Sequence, residues 1–253
     1  MSISIIAHRG YSSKYPENTM LAFKAAQKAG ADGIETDVQL SKDGVPVLIH
    51  DETLNRVAKV NGYVKDFTLK ELIEINVGKG FGWRIRKAFI PTLEELLAWI
   101  AKTNLSLNIE LKNSQFPYES MEAKVIKMVH HYKIADQTIY SSFNHESLLK
   151  INKIDSNAET APLCKKLKTC SWQYIKTLGA SGVHPNYKYL NKNDVKEMQK
   201  QNIKVRPYTV NQKMAIKRLI HWNIDGIITD QPRKAKRYVY EELKLKSKSY
   251  DKK

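Results

Sequence analysis

The sequence predicts a single α/β domain of the (β/α)8, or TIM-barrel, class. The chain has 253 residues, close to the ~250 that are typical of this barrel. Short β-like runs alternate with amphipathic helical patterns almost throughout, which indicates a parallel sheet with right-handed crossovers. Eight such βα units can be counted, and no glycine-rich dinucleotide-binding fingerprint follows the first strand. These features favour a closed barrel over an open, nucleotide-binding sheet.

The opening of the chain predicts two strands, a helix and a hairpin. Residues 3–7 are apolar and β-branched, as expected of a buried strand, and residues 19–29 have the spacing of an amphipathic helix. A second strand is predicted at 33–40. The Lys-Asp-Gly turn at 42–44 is typical of a hairpin, so residues 45–50 are predicted to return as a further strand.

The alternation is interrupted at residues 51–90, which we interpret as a small insertion after the second strand. It contains a helix candidate at 68–75 and a glycine-rich aromatic stretch at 78–83, and it could form a lip over the barrel mouth. We therefore predict one barrel domain over 1–243, insertion included, and a basic C-terminal tail at 244–253.

From residue 91 the βα alternation resumes. A helix is predicted to begin at Thr92, with Glu95 completing a capping box. The later strands are predicted at 106–112, 138–143, 159–164, 181–185, 204–210 and 226–229. The later helices are predicted near 118–132, 145–153, 171–178, 191–201 and 212–221.

The composition indicates a large core and a strong basic excess. Hydrophobic residues make up 42% of the chain, and 42 Lys and Arg against 26 Asp and Glu give a net charge of +16. Residues 233–253 hold nine Lys or Arg against three Asp or Glu and so carry +6 of this charge. Such a protein attracts phosphate-bearing small molecules and, weakly, anionic membranes. No nucleic-acid-binding module is recognisable, so no specific nucleic-acid partner is expected.

The two cysteines and the N-terminal sequence predict the cellular compartment of the protein. Cys164 and Cys170 are six residues apart, a spacing that predicts neither a disulfide framework nor a metal cluster. The N-terminus has no charged n-region, and its short apolar run ends at His8, so no signal peptide is expected. No apolar stretch approaches the ~20 residues of a transmembrane helix. We therefore predict a cytoplasmic protein with reduced thiols.

Three carboxylates are placed to meet at one end of the predicted barrel. Glu35 and Asp37 are two residues apart on the second strand, so they point to the same face, about 7 Å apart at Cα. Glu110 lies near the end of the next parallel strand. Burial of three acids together without a cation is costly through repulsion and desolvation. The oxygen donors predict a site for one hard cation, Mg²⁺ or Ca²⁺, although each acid alone could equally be a salt-bridged barrel-end residue.

Two imidazoles and two cationic side chains are expected around the same point. His8 and Arg9 end the first strand, and His50 ends the hairpin. Lys112 has the same-face spacing from Glu110, at the carboxyl end where barrels of this class carry their functional groups. Imidazoles exchange protons near neutrality because their ordinary pKa is about 6.5. The set of groups predicts a site that cleaves phosphodiesters, with the two histidines as its acid–base pair.

The order and spacing of these residues resemble the glycerophosphodiester phosphodiesterase family. The matching segments of the first part are HRG at 8–10, PENT at 16–19, ETDV at 35–38, KDG at 42–44 and HDETL at 50–54. The later ones are IPTLEE at 90–95, ELK at 110–112, SF at 142–143, YTVN at 208–211 and GIITDQP at 226–232. A lone HRG would be weak evidence, but this ordered series covers almost the whole chain up to the basic tail.

The resemblance implies a metal-dependent barrel of the phospholipase C-like phosphodiesterase type that releases glycerol 3-phosphate and an alcohol. By position, Glu35, Asp37 and Glu110 match the family's metal ligands. His8 and His50 match its acid–base histidines. Arg9 and Lys112 match its phosphate-contacting cations. In the mechanism we expect, one histidine takes the proton of the glycerol 2-hydroxyl, which attacks phosphorus. The other protonates the departing alcohol, and water then opens the cyclic phosphate. The sequence leaves open which histidine is the base.

Aromatic side chains are candidates for an apolar wall around the glycerol or alcohol moiety, although each could instead belong to the core. Phe143 and Tyr208 are favoured because they fall near strand carboxyl ends, and Phe81 and Trp83 in the insertion are further candidates. Many family members have Trp where this chain has Tyr208, and the insertion is short, as in compact cytosolic-type members. Both departures concern the headgroup pocket. Glu17 is a further candidate for metal or substrate contact.

The leading expectation is hydrolysis of glycerophosphodiesters such as glycerophosphocholine or glycerophosphoethanolamine, and two other functions are alternatives to it. The same site could act as a lysophospholipase D on a lipid-bearing substrate, helped by the basic surface. A non-catalytic barrel that binds anionic lipid or nucleic acid is a different class of protein. Binding alone, however, does not need a collection of three acids, two histidines and two cations.

Overall fold

Nine strands form the sheet on which the functional residues stand. The computed structural model describes residues 3–78, 87–166 and 169–250, with side chains up to residue 244. The strands are β1 Ser4–His8, β2 Gly33–Leu40, β3 Pro46–Leu48, β4 Ser106–Leu111, β5 Thr138–Ser142, β6 Glu159–Cys164, β7 Gly182–Pro185, β8 Lys204–Val205 and β9 Gly226–Thr229. Eight of them are parallel and follow the order β8-β7-β6-β5-β4-β2-β1-β9, while β3 pairs antiparallel with β2. The predicted (β/α)8 barrel and its hairpin elaboration are confirmed.

Helices alternate with the strands around the barrel. They are α1 Met20–Lys28, α2 Asn55–Ala58, α3 Leu69–Leu72, α4 Leu93–Ile100, α5 Met121–His131, α6 His145–Ile154, α7 Trp172–Thr177, α8 Lys192–Lys200, α9 Lys213–His221 and α10 Pro232–Tyr250. The predicted cap of α4 is present: Thr92 Oγ1 accepts from the backbone N–H of Glu95 at 3.1 Å, and Glu95 Oε2 accepts from that of Thr92 at 2.9 Å. This reciprocal pair satisfies two backbone donors that would otherwise lack partners at the helix start.

The predicted strand at 204–210 was wrong in length, because regular pairing ends at Val205. Pro207 follows and has no backbone N–H to donate to a neighbouring strand. The chain nevertheless closes the barrel with single hydrogen bonds. The N–H of Ile228 donates to the carbonyl of Pro207 at 3.0 Å, and the N–H of Val210 donates to that of Ile228 at 2.9 Å. Closure therefore places Tyr208 and the residues after it at the barrel mouth without a regular β8–β9 ladder.

Strand alternation separates an outer apolar layer from an inner polar one. On β2 every residue is buried, but Ile34 and Val38 belong to the hydrophobic cluster that includes Phe23 under the helices. Glu35 and Asp37 occupy the alternate positions and therefore face the barrel interior. Burial of a side chain such as Phe23, which is fully enclosed, contributes about 1.5–3 kcal/mol. Packing of the outer layer thus fixes the strand whose inner face carries the acids.

The expectation of unpaired, reduced cysteines is contradicted by the structure. Cys164 and Cys170 form a disulfide with a Cα–Cα distance of 6.5 Å. The bond joins the end of β6 to the residue before the cap of α7. The six-residue spacing did not predict this disulfide, because the distance between the two cysteines depends on how the loop between the strand and the helix turns.

The C-terminus and the insertion differ partly from their predicted extents. Helix α10 continues to Tyr250, so the first part of the predicted tail is helical. The helix predicted at 68–75 is a single turn, α3, and most of the aromatic stretch at 78–83 lies outside the described residues. Among the described residues, none of the helices combines the length and apolarity that crossing a bilayer requires.

Candidate active site

The turn after β1 shapes the mouth of the barrel. Arg9 and Gly10 both have left-handed backbone conformations, with φ of 55° and 81°. A Cβ on Gly10 would lie 2.7 Å from the backbone carbonyl carbon of Ala22, so only glycine fits against α1 here. The turn directs the N–H of Arg9 to Glu35, whose Oε2 accepts at 2.7 Å. Backbone strain of this kind often accompanies functional sites, and here it orients an acid of the predicted metal site.

The three predicted metal ligands converge. One carboxylate oxygen each of Glu35, Asp37 and Glu110 lies within 4.8 Å of the others. All three residues are buried, with at most 8% of their surface exposed. The strand register explains the convergence, because Asp37 pairs directly with Glu110 across β2 and β4. Glu35 joins them from two residues earlier on the same face.

Burial and repulsion make this cluster unfavourable as three bare charges. Desolvation, followed by the charges of Asp37 and Glu110, raises the pKa of Glu35 well above its ordinary value. Desolvation and the charge of Asp37 also raise the pKa of Glu110. Burial pushes the pKa of Asp37 in the same direction, but attraction to surrounding cationic groups, first of all Arg9, outweighs it and lowers that pKa. Protons or a cation must compensate the remaining charge.

A divalent cation fits these donors. Glu35 Oε1 and Asp37 Oδ1 are buried and accept no hydrogen bond within the described part of the chain. Buried oxygens without partners are costly, and a metal ion would satisfy both. Because all the donors are carboxylate oxygens, they suit a hard cation such as Mg²⁺ or Ca²⁺ better than a softer ion.

His8 is held by a carboxylate from the opposite end of the chain. Its Nδ1 lies 2.7 Å from Oδ1 of Asp230, just after β9. Asn211 Nδ2 donates to Asp230 Oδ2 at 2.6 Å, and the Ser12 hydroxyl donates to Oδ1 at 3.0 Å. Desolvation would raise the pKa of Asp230, but these hydrogen bonds and the attraction of His8 lower it to about 2. The ionised carboxylate keeps a proton on Nδ1 and leaves Nε2 for exchange with a ligand.

His50 has the equivalent arrangement with its own neighbour in sequence. Its Nδ1 lies 2.7 Å from Asp51 Oδ1. Arg56 Nε donates to Asp51 at 2.5 Å, and its two other nitrogens donate to Glu17 at 2.8 and 2.7 Å. On the opposite edge of the ring, Nε2 lies 3.3 Å from Lys112 Nζ. Both predicted catalytic imidazoles are therefore oriented by a carboxylate at Nδ1.

The two predicted phosphate-contacting cations lie at the rim of the acidic cluster. Arg9 Nη1 is 2.9 Å from Glu17 Oε1, and its Nε is 3.2 Å from Asp37 Oδ2. Lys112 Nζ donates to Glu110 Oε1 at 3.0 Å. Glu17 thus contacts Arg9 and Arg56 and is not part of the acid trio. Each cation therefore contacts one buried acid of the trio: Arg9 contacts Asp37, and Lys112 contacts Glu110.

Asn18, Asp51 and Asp230 are residues of the site to which sequence reasoning gave no role there. Asn18 Nδ2 donates to Asp37 Oδ2 at 2.8 Å, and its Oδ1 accepts from the hydroxyl of Thr36 at 2.8 Å. This side chain fixes the orientation of Asp37. Asp51 could have been found from its position directly after His50. Asp230 carried the weaker signal of lying immediately after a strand end.

The predicted aromatic pair forms one wall of a cleft of about 220 Å³. The cleft is lined by His8, Arg9, Glu35, His50, Asn108, Glu110, Phe143, Leu163, Tyr208, Thr209 and Ile228. The rings of Phe143 and Tyr208 meet edge to face, with centroids 6.1 Å apart. The Tyr208 hydroxyl donates to the carbonyl of Cys164 at 3.3 Å. Phe81 and Trp83, the other two candidates, lie outside the described residues.

Comparison with known proteins places this site in a family. The sequence model of the glycerophosphoryl diester phosphodiesterase family matches residues 8–234. A glycerophosphodiester phosphodiesterase from Bacillus altitudinis is 41% identical over 243 residues, which cover 95% of this chain and 99% of that protein. One from Caldanaerobacter subterraneus subsp. tengcongensis is 40% identical over 232 residues, with 92% and 96% covered.

Solved structures show the same architecture. A phosphodiesterase from Oleispira antarctica, in complex with the product sn-glycerol-3-phosphate, superimposes with a TM-score of 0.88 at 26% identity, covering 93% of this chain and 96% of that one. A glycerophosphodiester phosphodiesterase from Agrobacterium tumefaciens gives 0.80 at 26% identity, with 92% and 98% covered. On the match of the family model and of these relatives over nearly its whole length, the chain belongs to the glycerophosphoryl diester phosphodiesterase family.

Proposed function

We propose that this protein is a metal-dependent glycerophosphodiester phosphodiesterase that releases glycerol 3-phosphate and an alcohol. Membership of the family makes it an enzyme of the phosphodiester hydrolase class. One arrangement carries the specific proposal: three buried carboxylates lie within 4.8 Å of one another, and His8 and His50 line the same cleft as Glu35 and Glu110. Each imidazole has a carboxylate at Nδ1, the arrangement that keeps Nε2 for proton transfer.

Glu35, Asp37 and Glu110 would hold one divalent cation, Mg²⁺ or Ca²⁺. When bound, the cation supplies positive charge next to the phosphoryl oxygens, on which negative charge grows during the reaction. Arg9 adds a guanidinium at the same rim, and Lys112 adds an ammonium. Both cations are positioned to bind the phosphate of the substrate and to stabilise its charge.

His8 and His50 divide the two proton transfers. One imidazole accepts the proton of the glycerol 2-hydroxyl as its oxygen forms the bond to phosphorus. The other donates a proton to the alcohol oxygen as its bond to phosphorus breaks, which leaves a cyclic phosphate. Water then opens this ring with the proton transfers reversed, so both histidines return to their starting forms. Phe143 and Tyr208 would pack against the carbon skeleton of the glycerol or the alcohol.

The direct test is release of glycerol 3-phosphate from a panel of glycerophosphodiesters that carry choline, ethanolamine, glycerol and serine. Each substrate is incubated after EDTA treatment, with and without added Mg²⁺ or Ca²⁺. We expect release from at least one substrate, dependent on the added cation. Absence of cation-dependent release from every substrate would reject the proposal.

A lysophospholipase D activity at the same site is a second candidate, favoured by one feature of the surface. A groove of about 500 Å³ runs past the start of α1 and the insertion, with apolar side chains in its lining. Leu21, Ile73 and Phe89 are each more than 40% exposed there. An acyl chain could occupy such a groove, and the basic surface could add weak contact with anionic membrane. Adding lysophosphatidylcholine to the panel tests this candidate.

A cytoplasmic location stays a prediction of the sequence.

A further inference from the structure

A second cluster of metal-ligating side chains lies outside the acidic site. Cys164, Cys170 and His145 each offer a ligand atom, and these atoms lie within 4.8 Å of one another. They come from two neighbouring βα loops, since His145 begins α6 while the cysteines flank the loop between β6 and α7. The cysteines are 2% and 1% exposed and belong to the apolar cluster between strands and helices. The cluster is therefore separate from the acids inside the barrel.

We propose that in the reduced protein Cys164, Cys170 and His145 bind one soft or borderline cation, with Zn²⁺ as the best match. The disulfide is then the oxidised, metal-free state of the same pair. Two thiolates and an imidazole form a sulfur–nitrogen donor set that favours Zn²⁺ or Cu⁺ and disfavours the hard cations suited to the acid trio. Three protein ligands leave a fourth position of tetrahedral Zn²⁺ for water.

The hydrogen bonds of His145 prepare its ring for this role. Nε2 lies 3.1 Å from the carbonyl oxygen of Leu163. A carbonyl can only accept, so Nε2 carries the hydrogen and the lone pair is on Nδ1. Nδ1 now lies 2.8 Å from the hydroxyl of Tyr174, which donates to it. A ring nitrogen held by a backbone carbonyl is the usual support of a metal-ligating imidazole, and in this tautomer Nδ1 is the nitrogen whose lone pair a cation would use.

The backbone accommodates both states of the cysteine pair. The Cα–Cα distance of 6.5 Å lies within the ~4.4–6.8 Å range of disulfides. Two sulfurs bound at about 2.3 Å to one tetrahedral zinc lie about 3.8 Å apart, a separation that side-chain rotation can reach from the same backbone. The exchange between states therefore needs no rearrangement of β6 or α7.

The disulfide and dithiol states interconvert by thiol–disulfide exchange. A small-molecule disulfide takes two electrons and two protons from the two thiols and becomes two thiols, while the protein disulfide forms. A small dithiol reverses the reaction. Binding of the cation to the reduced pair releases the two thiol protons to solvent. Oxidation and cation binding use the same sulfur electrons and so exclude each other.

The test is an anaerobic titration of the whole protein with Co²⁺, a spectroscopic substitute for Zn²⁺. The protein is reduced with a phosphine, freed of reductant and kept in excess Mg²⁺ to occupy the oxygen-ligand site. We expect a thiolate-to-cobalt charge-transfer band that saturates at one equivalent and disappears when Zn²⁺ is added. The disulfide form, prepared from the same sample, should give no band. A band in the oxidised protein, or none in protein with two reactive thiols, would overturn the proposal.

Variants identify the ligands. Cys164→Ser and Cys170→Ser should each abolish the band at equimolar Co²⁺, and His145→Ala should weaken binding by about tenfold or more. His131→Ala, which changes an exposed histidine at the end of α5, should leave the titration unchanged. Circular dichroism and melting check folding, and Cys→Ala variants replace the serine ones if burial of a hydroxyl destabilises the protein. Undiminished binding in either cysteine variant or in His145→Ala would contradict the site.

Discussion

The two sides of the barrel mouth are built on different principles. The charged side comprises the carboxyl ends of β1, β2 and β4 with the hairpin end, and it holds the acid trio, both histidines and both cations. The aromatic side comprises the carboxyl ends of β5 to β8, and it holds Phe143, Tyr208 and the disulfide. Side chains of the charged side are held by ion pairs and hydrogen bonds, apart from the two buried carboxylate oxygens of Glu35 and Asp37 that accept none within the described residues. On the aromatic side, the rings of Phe143 and Tyr208 are held by their packing against each other and by the hydrogen bond from the Tyr208 hydroxyl to the carbonyl of Cys164. The difference suggests that chemistry resides on the first side and substrate preference on the second.

Removal of an imidazole should give the largest effect. We expect His8→Ala and His50→Ala each to lower kcat by roughly 10²–10⁴-fold at saturating cation, because each removes one proton transfer. The measurement is steady-state release of glycerol 3-phosphate, with His131→Ala as a control that should retain full turnover. Near-normal turnover by His50→Ala would remove it from the acid–base pair.

Neutralisation of one acid tests whether the charged side is built for a cation. A raised pKa in the folded state means that Glu35 stabilises the protein fully below its ordinary value of 4.5 and loses this contribution as pH rises through the folded value. Cation-free Glu35→Gln should therefore melt higher than cation-free wild type at neutral pH. The wild type alone should gain stability from cation, by about 2.7 kcal/mol at 100 times Kd. Equal stabilisation of both proteins in thermal melts would place the cation elsewhere.

Loss of the Asp230 carboxylate should have an intermediate effect on turnover and a distinct pH signature. We expect Asp230→Asn to lower kcat less than His8→Ala does, because the imidazole remains but its tautomer is no longer imposed. The depressed pKa of Asp230 contributes stability above its ordinary value of 3.8, and this is lost as pH falls through about 2. The variant should therefore not show the loss of stability that protonation of Asp230 causes in the wild type at low pH. An identical acid transition in both proteins would contradict the pairing with His8.

Truncation on the aromatic side should have the smallest effect and a different kinetic form. Phe143 is 38% exposed, so Phe143→Ala should cost about 1 kcal/mol of substrate binding, or about fivefold in KM, with kcat nearly unchanged. The size of the change should vary among alcohol headgroups. Kinetics on two glycerophosphodiesters measure it. A large fall in kcat with constant KM would place this ring among the groups that act on the transition state.

The sequence predicted the convergence of the three acids because that part of the geometry follows from regular strand pairing. Two-residue spacing on a strand fixes the common face of Glu35 and Asp37, and parallel pairing brings Glu110 beside them. The contact of His8 with Asp230 spans 222 residues and depends on barrel closure, which no local pattern specifies. The disulfide and the early end of β8 likewise depend on loop geometry and on one proline. Barrel closure and loop conformation determine which residues orient the functional side chains, as Asp230 orients His8, and neither could be predicted from local sequence patterns.

The most direct measurement of the central claim compares cation-dependent turnover of wild type with that of Glu35→Gln on one accepted glycerophosphodiester. Both proteins are stripped with EDTA and titrated with Mg²⁺ or Ca²⁺ while glycerol 3-phosphate is measured. We predict that wild-type turnover is absent without cation and saturates with it, and that the variant needs far more cation or stays inactive. Full wild-type turnover in EDTA, or an unchanged cation requirement in the variant, would contradict a cation-binding role for the buried acids.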